Sequence, residues 1–367
     1  MSSQILKKIE DFVSSNKSKK EYISTHWDEI IKFQFEDKNS KNIIDELKSS
    51  FFLDHYTLFN YADNFIKHQH PEDKILFRKT LLSIFISNPI LLTKVLKKIF
   101  QKSKSRDSIF LTQSLTLESI GMLDDYFKFM KENKFYTDFS SQRLYFYNRI
   151  QQLIVDKYLN NHNNLNFLEI GAGGGTSAIF LIKNNIVKNY VIVDLPEMLI
   201  YSAYHINKNC GEFNVEFGLD KINNLNNESK TVFLLTPDQI NSIPDNLINF
   251  QFSINALMEM RIDVSNRYIK EMYRIGADDS ITMIIARINE LYLKDKIKEL
   301  NNPYTYQYSS DDKVISMGPE FLQDNSRALL RDTPYSPSML RISKINSNGE
   351  NIKKLNFHRI FNFNNFY

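Results

Sequence analysis

The sequence predicts an α/β protein: a mostly parallel sheet, ending in an antiparallel C-terminal hairpin, follows a helical N-terminal domain. Three observations carry that prediction. The apolar run Phe167–Ile170 holds one acid, Glu169, and passes into a loop with Gly171, Gly173, Gly174 and Gly175, as a strand does when it turns tightly into a helix. From there to about residue 286, strand-length apolar runs alternate with helix-length segments, which implies parallel strands joined by crossover helices. Before Tyr145 the apolar residues recur at three- and four-residue spacing, as in Ile5, Ile9 and Phe12 and again in Ile43, Ile44 and Leu47. The expected division is a helical domain over residues 1–140 and a sheet domain over 141–367.

In chain order, Asp37–Lys41 and Gln101–Asp107 are polar breaks between N-terminal helices. A helix from about Ser141 to Leu159 sets Leu144, Tyr147, Ile150, Leu153 and Ile154 on one side and runs into the first strand. Asn189–Asp194 is a second strand that ends in a carboxylate. Leu195-Pro196-Glu197 then opens a helix, with proline in the first turn, where its missing N–H costs nothing. Two segments compete for the third strand: Lys230–Pro237, which ends in Asp238 and Gln239, is the better candidate, and Val215–Gly218 is its rival. Phe250–Asn255 reads as the fourth strand, Ser265–Ile275 as its helix and Ser280–Ala286 as the fifth strand. Met339–Ile345 and Lys354–Phe361 flank Asn348-Gly349, a strong hairpin turn, so the antiparallel pair is expected there.

The glycine loop implies a ligand of nucleotide size, because glycine lets a ligand approach the backbone and the following helix offers free N–H groups. A dinucleotide fingerprint requires Gly-x-Gly-x-x-Gly or Ala, and Thr176 occupies the third position of that pattern. Gly171, Gly173 and Gly175 instead fit Gly-x-Gly-x-Gly with Glu169 ahead, which resembles class I S-adenosylmethionine-dependent methyltransferases with their Rossmann-like sheet. Asp194 lies about 25 residues beyond Glu169, where a carboxylate at the end of the second strand can accept both ribose hydroxyls. Together with Ile192–Glu197, Ile254-Asn255 and Glu259-Met260, these motifs resemble the sugar O-methyltransferases of bacterial surface-polysaccharide clusters, over roughly Tyr145 to Ile288. The Asp194-Leu195-Pro196 element also resembles the O-methyltransferases of plant and polyketide metabolism. Those carry a His-Asp-Trp triplet after the fourth strand, where this chain has Asn255–Met260 and no histidine.

The resemblance implies S-adenosylmethionine as cofactor, held by Glu169, Gly171, Ala172, Gly173, Gly175, Asp194, Leu195 and Asn255. Asp238 and Gln239 stand where they would hydrogen-bond adenine or ribose, and Arg143 or Tyr147 would reach the cofactor from the preceding helix. It further implies a sugar or glycan hydroxyl as acceptor, in a capsule or lipopolysaccharide precursor. Such a hydroxyl needs a base as the methyl transfers. Ligands bind beyond the carboxyl ends of the strands, so Glu259, just after Asn255, is the first candidate base. A structural ion pair with Arg261 or Arg287 is the competing role. His205 lies nine residues beyond Pro196, and the helical rise carries it roughly 13 Å from the ligand edge, which suits a surface or interface histidine.

Composition narrows the classes. With 367 residues, 42% of them hydrophobic, the chain can build two domains with real cores. Its net charge of +3 is dispersed and forms no Arg-rich patch, so no nucleic-acid partner is expected. The single cysteine, Cys210, cannot form an internal disulfide, the N-terminus lacks a secretory signal, and Leu81–Leu92 is too short and broken to span a bilayer; a cytoplasmic location is expected. No His-x-x-x-His, His-Glu-x-x-His or paired-cysteine spacing marks a metal site. Asp278-Asp279 and Asp311-Asp312 read as capping or loop acids, which leaves Mg²⁺ dependence open. Tyr304, Tyr306 and Tyr308 would either stack on a sugar or sit in the core, and Lys94–Arg106 would either face solvent or touch an anionic membrane. A homodimer stays open. The alternative functions are a natural-product O-methyltransferase, an NAD-type oxidoreductase and a nucleotide-binding protein without turnover.

Overall fold

The structure, a computed structural model, describes residues 3–16, 19–22, 117, 120–132, 141–159, 164–184, 187–218, 222, 225, 230–287, 301, 303–320 and 338–345. The chain forms two compact units, one of Met1–Asp54, Gln152–Pro319 and Ser336–Tyr367, the other of His55–Gln151 and Glu320–Tyr335. This division departs from a boundary at residue 140. Helix α1 (Ser3–Ser15) belongs with the sheet, and its buried stripe of Ile5, Ile9 and Phe12 is the one that the spacing predicts. Phe12 stacks on Phe217 with ring centroids 4.4 Å apart, while the Lys8 ammonium donates to the Val215 carbonyl and pairs with Glu216 at 2.8 Å.

The second unit holds helix α2 (Leu123–Glu132) and the first residues of helix α3 (Ser141–Tyr158). Tyr126 and Tyr145 meet there edge to face at 5.5 Å. Along α3, Leu144, Tyr147 and Ile154 are buried as expected, whereas Leu153 is 65% exposed. Ile43, Ile44, Leu47 and the basic stretch Lys94–Arg106 lie outside the described residues.

In the first unit the chain runs β1 (Asn166–Ile170), α4 (Thr176–Lys183), β2 (Asn189–Val193), α5 (Pro196–Asn209), β3 (Asn214–Phe217), β4 (Thr231–Leu235), β5 (Ile248–Ile254), α6 (Ile262–Ile275), β6 (Gly276–Arg287), β7 (Lys313–Pro319) and β8 (Ser338–Lys344). These strands form one sheet in the order β3-β4-β2-β1-β5-β6-β8-β7. Neighbours from β3 to β6 are parallel, and β8 runs antiparallel to both β6 and β7. The fold is the Rossmann-like α/β sheet with an antiparallel C-terminal pair that the sequence predicts.

Two expectations change in detail. Both candidates for the third strand are strands: Thr231–Leu235 pairs with β2, and Asn214–Phe217 adds an outer edge beyond it. Among the described residues the antiparallel partner at the C-terminal end is β7, paired with β8, and β6 takes the other side of β8. Lys354–Phe361, the other arm expected for the hairpin across Asn348-Gly349, lies outside the described residues.

Strands β1, β2 and β4 are buried at every position, as parallel strands covered on both faces must be. From β1 the chain goes to β2, out to the edge strand β3 and back to β4 between them, then crosses to β5 on the other side of β1. The sheet therefore reverses its direction of growth between β1 and β5, and the crevice beyond their carboxyl ends is where such sheets bind ligands. The Ser253 hydroxyl donates to the Ile170 carbonyl at 3.1 Å and ties the two strand ends together. Among the described residues, no helix is long and apolar enough to cross a membrane.

Candidate functional site

Three glycines of the loop after β1 take a backbone conformation that other residues adopt only under strain. Gly171, Gly173 and Gly175 all have positive φ, at +75°, +56° and +75°. A Cβ on Gly171 would lie 2.1 Å from the Ala256 Cβ, so the loop after β1 touches the loop after β5. A Cβ on Gly175 would press on Ile206 and Ser202 of α5. At Gly173 a Cβ would meet nothing within 4 Å, which marks the side from which a ligand can approach. Gly175 caps α4 without a side-chain hydrogen bond, leaving the first-turn N–H groups of that helix to a ligand.

Asp194 follows β2 and binds this loop. Its carboxylate accepts the Gly173 N–H at 2.9 Å on one oxygen and the Leu195 N–H at 2.7 Å on the other. Burial pushes its pKa up to about 7, against the lowering effect of N–H donors from Gly173, Leu195 and Ala172. Each oxygen retains further acceptor capacity, and the residue is half-buried rather than sealed. Glu169 is buried inside β1, where its carboxyl accepts the Tyr190 hydroxyl at 2.7 Å. Burial raises its pKa to about 8; Tyr190 and Ser177 oppose the rise, and the charge of Asp194 adds to it. Glu169 thus supports the loop from behind.

Across the crevice, Asn255 ends β5 in the left-handed conformation, φ 62°, with its N–H donated to Ile285. Its side-chain oxygen is buried without a hydrogen-bond partner, as is the hydroxyl of Thr176 in the first turn of α4. Glu259 is half-buried in a single 3-10 turn, Leu257–Glu259, three residues beyond Ala256. That turn is held by Asn301, whose amide donates to Leu257 and Met260 carbonyls at 2.6 and 2.7 Å, and by Ser265, whose hydroxyl donates to Leu257 at 2.8 Å. Arg261, named in sequence as a partner for Glu259, closes a two-pronged pair with Asp263.

Gly171, Ala172, Gly173, Gly175, Asp194, Leu195 and Asn255 therefore gather beyond the carboxyl ends of β1, β2 and β5, while Glu169 stands buried behind the loop. Asp238 and Gln239 follow β4 with their side chains already engaged: Asp238 pairs with Lys19 at 2.6 Å and accepts the Thr236 hydroxyl, and Gln239 accepts the Thr236 N–H. Tyr147 belongs to the second unit, where its ring lies 5.9 Å from that of Phe146; Arg143 begins the same helix, its side chain outside the described residues.

Several sequence readings are corrected. His205 is 5% exposed, and its Nδ1 lies 3.0 Å from the Gly174 carbonyl; the rise along α5 was no guide, because the helix packs its middle turns against the glycine loop. Ser202, one turn earlier, donates to the Gly173 carbonyl at 2.7 Å. Sequence reasoning missed Ser202, although polar residues at 202 and 205 interrupt a face otherwise made of Leu199, Ala203 and Ile206. Tyr306 and Tyr308 are core residues, closed to an acceptor. Asp312 lies in the loop before β7, as expected, but its side chain is a buried partner of Arg341. Among the described residues no group of three His, Cys, Asp or Glu could hold a metal ion.

No family model matches the chain, and no curated protein matches it. It is similar to solved structures. The [4+2]-cyclase SpnF is 11% identical at a TM-score of 0.35, over 54% of this chain and 80% of that one. Phosphoethanolamine N-methyltransferase 2 of Haemonchus contortus, in complex with S-adenosyl-L-methionine, is 10% identical at 0.35, over 60% and 59%. Geranyl diphosphate C-methyltransferase of Streptomyces coelicolor A3(2), with Mg²⁺, geranyl diphosphate and S-adenosyl-L-homocysteine, is 9% identical at 0.34, over 53% and 78%.

Proposed function

We propose that the protein is an S-adenosylmethionine-dependent O-methyltransferase acting on a sugar hydroxyl. The observation that carries the cofactor is the pair of orphaned polar groups beside the glycine loop. Asn255 Oδ1 can only accept, so it calls for a donor such as an ammonium group and is a poor neighbour for a pyrophosphate. Thr176 Oγ1, at an uncapped helix N-terminus, suits a carboxylate. An acceptor and a donor of this kind fit the amino-acid end of S-adenosylmethionine, and Asp194 fits its ribose hydroxyls. When bound, this cofactor supplies a methyl group on a sulfonium, open to in-line attack by an acceptor oxygen.

The chain's own contribution is positioning and proton transfer. Asp194 and the glycine loop hold the nucleoside, and Glu259, in the turn after β5, takes the proton from the acceptor hydroxyl. A surface-glycan precursor as acceptor follows the motif resemblance. Titration calorimetry with S-adenosylhomocysteine, with NAD as control, tests the reading. Saturable binding of S-adenosylhomocysteine alone is expected, lost in Asp194→Ala; binding of NAD instead would overturn it. For Glu259→Gln, methyl transfer to a nucleotide-sugar acceptor should fall by about 100-fold or more with S-adenosylhomocysteine affinity unchanged.

A further inference from the structure

The cofactor loop is clamped from behind by helix α5. Side chains hold Gly173 and Gly174 at three points: the Gly173 N–H goes to Asp194 at 2.9 Å, the Gly173 carbonyl accepts from Ser202 Oγ at 2.7 Å, and the Gly174 carbonyl meets His205 Nδ1 at 3.0 Å. Ser202 is completely buried and His205 nearly so. A carbonyl only accepts, so the imidazole carries its proton on Nδ1. In a trans peptide the C=O and the next N–H point in opposite directions. Holding the Gly173 carbonyl toward α5 therefore turns the Gly174 N–H away from that helix. Holding the Gly174 carbonyl toward α5 does the same for the Gly175 N–H, which bonds to the Ala172 carbonyl at 3.0 Å and closes the loop.

We infer that Ser202 and His205 are positioning residues that set the peptide planes of the glycine loop for its nucleoside ligand. Glycine at 173, 174 and 175 makes the loop close to its ligand but leaves its planes free to rotate, since glycine populates both signs of φ. Two side-chain donors on consecutive carbonyls remove that freedom before the ligand arrives, and preorganisation of this kind raises affinity by lowering the ordering cost. The inference rests on the cofactor reading above, because its ligand is the one proposed there.

The test uses the full chain with Ser202→Ala, His205→Gln and His205→Asn. An asparagine amide nitrogen can take the place of imidazole Nδ1, whereas that of glutamine reaches the place of Nε2, so only His205→Asn retains the donor. S-adenosylhomocysteine affinity should fall about three- to tenfold in Ser202→Ala and in His205→Gln, and stay within about threefold of wild type in His205→Asn. Amide exchange of residues 171–177 in the ligand-free protein should quicken in the first two variants only. Equal affinity and exchange in all variants would overturn the inference, as would equal losses in His205→Asn and His205→Gln. If the wild-type protein binds no S-adenosylhomocysteine, the cofactor reading falls, and with it the ligand role inferred for the clamp.

Discussion

Glu169 shows how far one buried carboxyl departs from its ordinary chemistry. Its pKa rises from 4.5 to about 8, chiefly through burial, so the protonated form prevails near neutrality. A raised acid binds protons more tightly in the folded state, so this contribution to stability is complete below 4.5 and is lost as the pH rises through 8. Asp194 acts in the same sense over a lower window, up to about 7. Thermal stability should therefore decline from pH 5 to pH 8.5 in the wild-type protein. Glu169→Gln retains an acceptor for the Tyr190 hydroxyl and has no proton to lose, so its melting temperature should decline less than that of the wild type from about pH 4.5 to 8, and the decline above about pH 7, where Asp194 no longer contributes, should vanish. A full decline in that range in the variant would place the titration elsewhere. The identity of this residue was legible in sequence, its burial state was not: whether an acid at a strand end faces a ligand or Tyr190 depends on the neighbouring strand.

Among the elements, a buried ion pair ties the residue before β7 to strand β8 and helix α6. Arg341 of β8 and Asp312 each keep 1% of their side chain exposed and meet at 2.5 Å. The Tyr273 hydroxyl of α6 donates to the same Asp312 oxygen, and Arg341 lies over the Tyr308 ring at 4.0 Å. Helix, strand and connecting chain are thus joined at a single point. Removing one partner strands a buried charge, so Arg341→Met should cost about 3–5 kcal/mol in urea unfolding. The double variant Arg341→Met, Asp312→Asn should recover part of that loss, and a double variant as unstable as the sum of both singles would argue against a direct pair. In the sequence Asp312 reads as one of two adjacent loop acids, and Arg341 is just one of many basic residues. Their pairing spans 29 positions and exists only because β8 folds back beside β6.

At the scale of the whole molecule, the N-terminal helix belongs to the sheet unit. Strand β3 is a parallel edge, and an open edge invites pairing with other chains; α1 covers it with Phe12 and Lys8. Phe12→Ala should lower the stability of the sheet unit by about 3 kcal/mol. The buried thiol of Cys210, which caps the C-terminus of the helix that precedes β3, reports this directly through its rate of modification in mild urea. An unchanged rate would mean that α1 contributes nothing to the sheet unit.

The strands, their order along the chain and the glycine loop were readable from residues 141–287, because apolar period and glycine placement are local properties. So were the places of Asp194 and Asn255, just beyond the carboxyl ends of β2 and β5, since they follow from where the apolar runs stop. Which strand closes the antiparallel end was a different matter: Asn348-Gly349 favours a hairpin locally, but β8 takes Lys313–Pro319 as its neighbour, and strand pairing at that distance is decided by what the sheet edge offers. The same holds for Ser202 and His205, which a helical count places away from the ligand edge and the packing of α5 places against the loop. Local sequence determined which elements form and where the glycine loop sits. Tertiary packing alone decided which side chains stand behind that loop, because contacts between distant segments are set by how helices and strands fill the space beside one another.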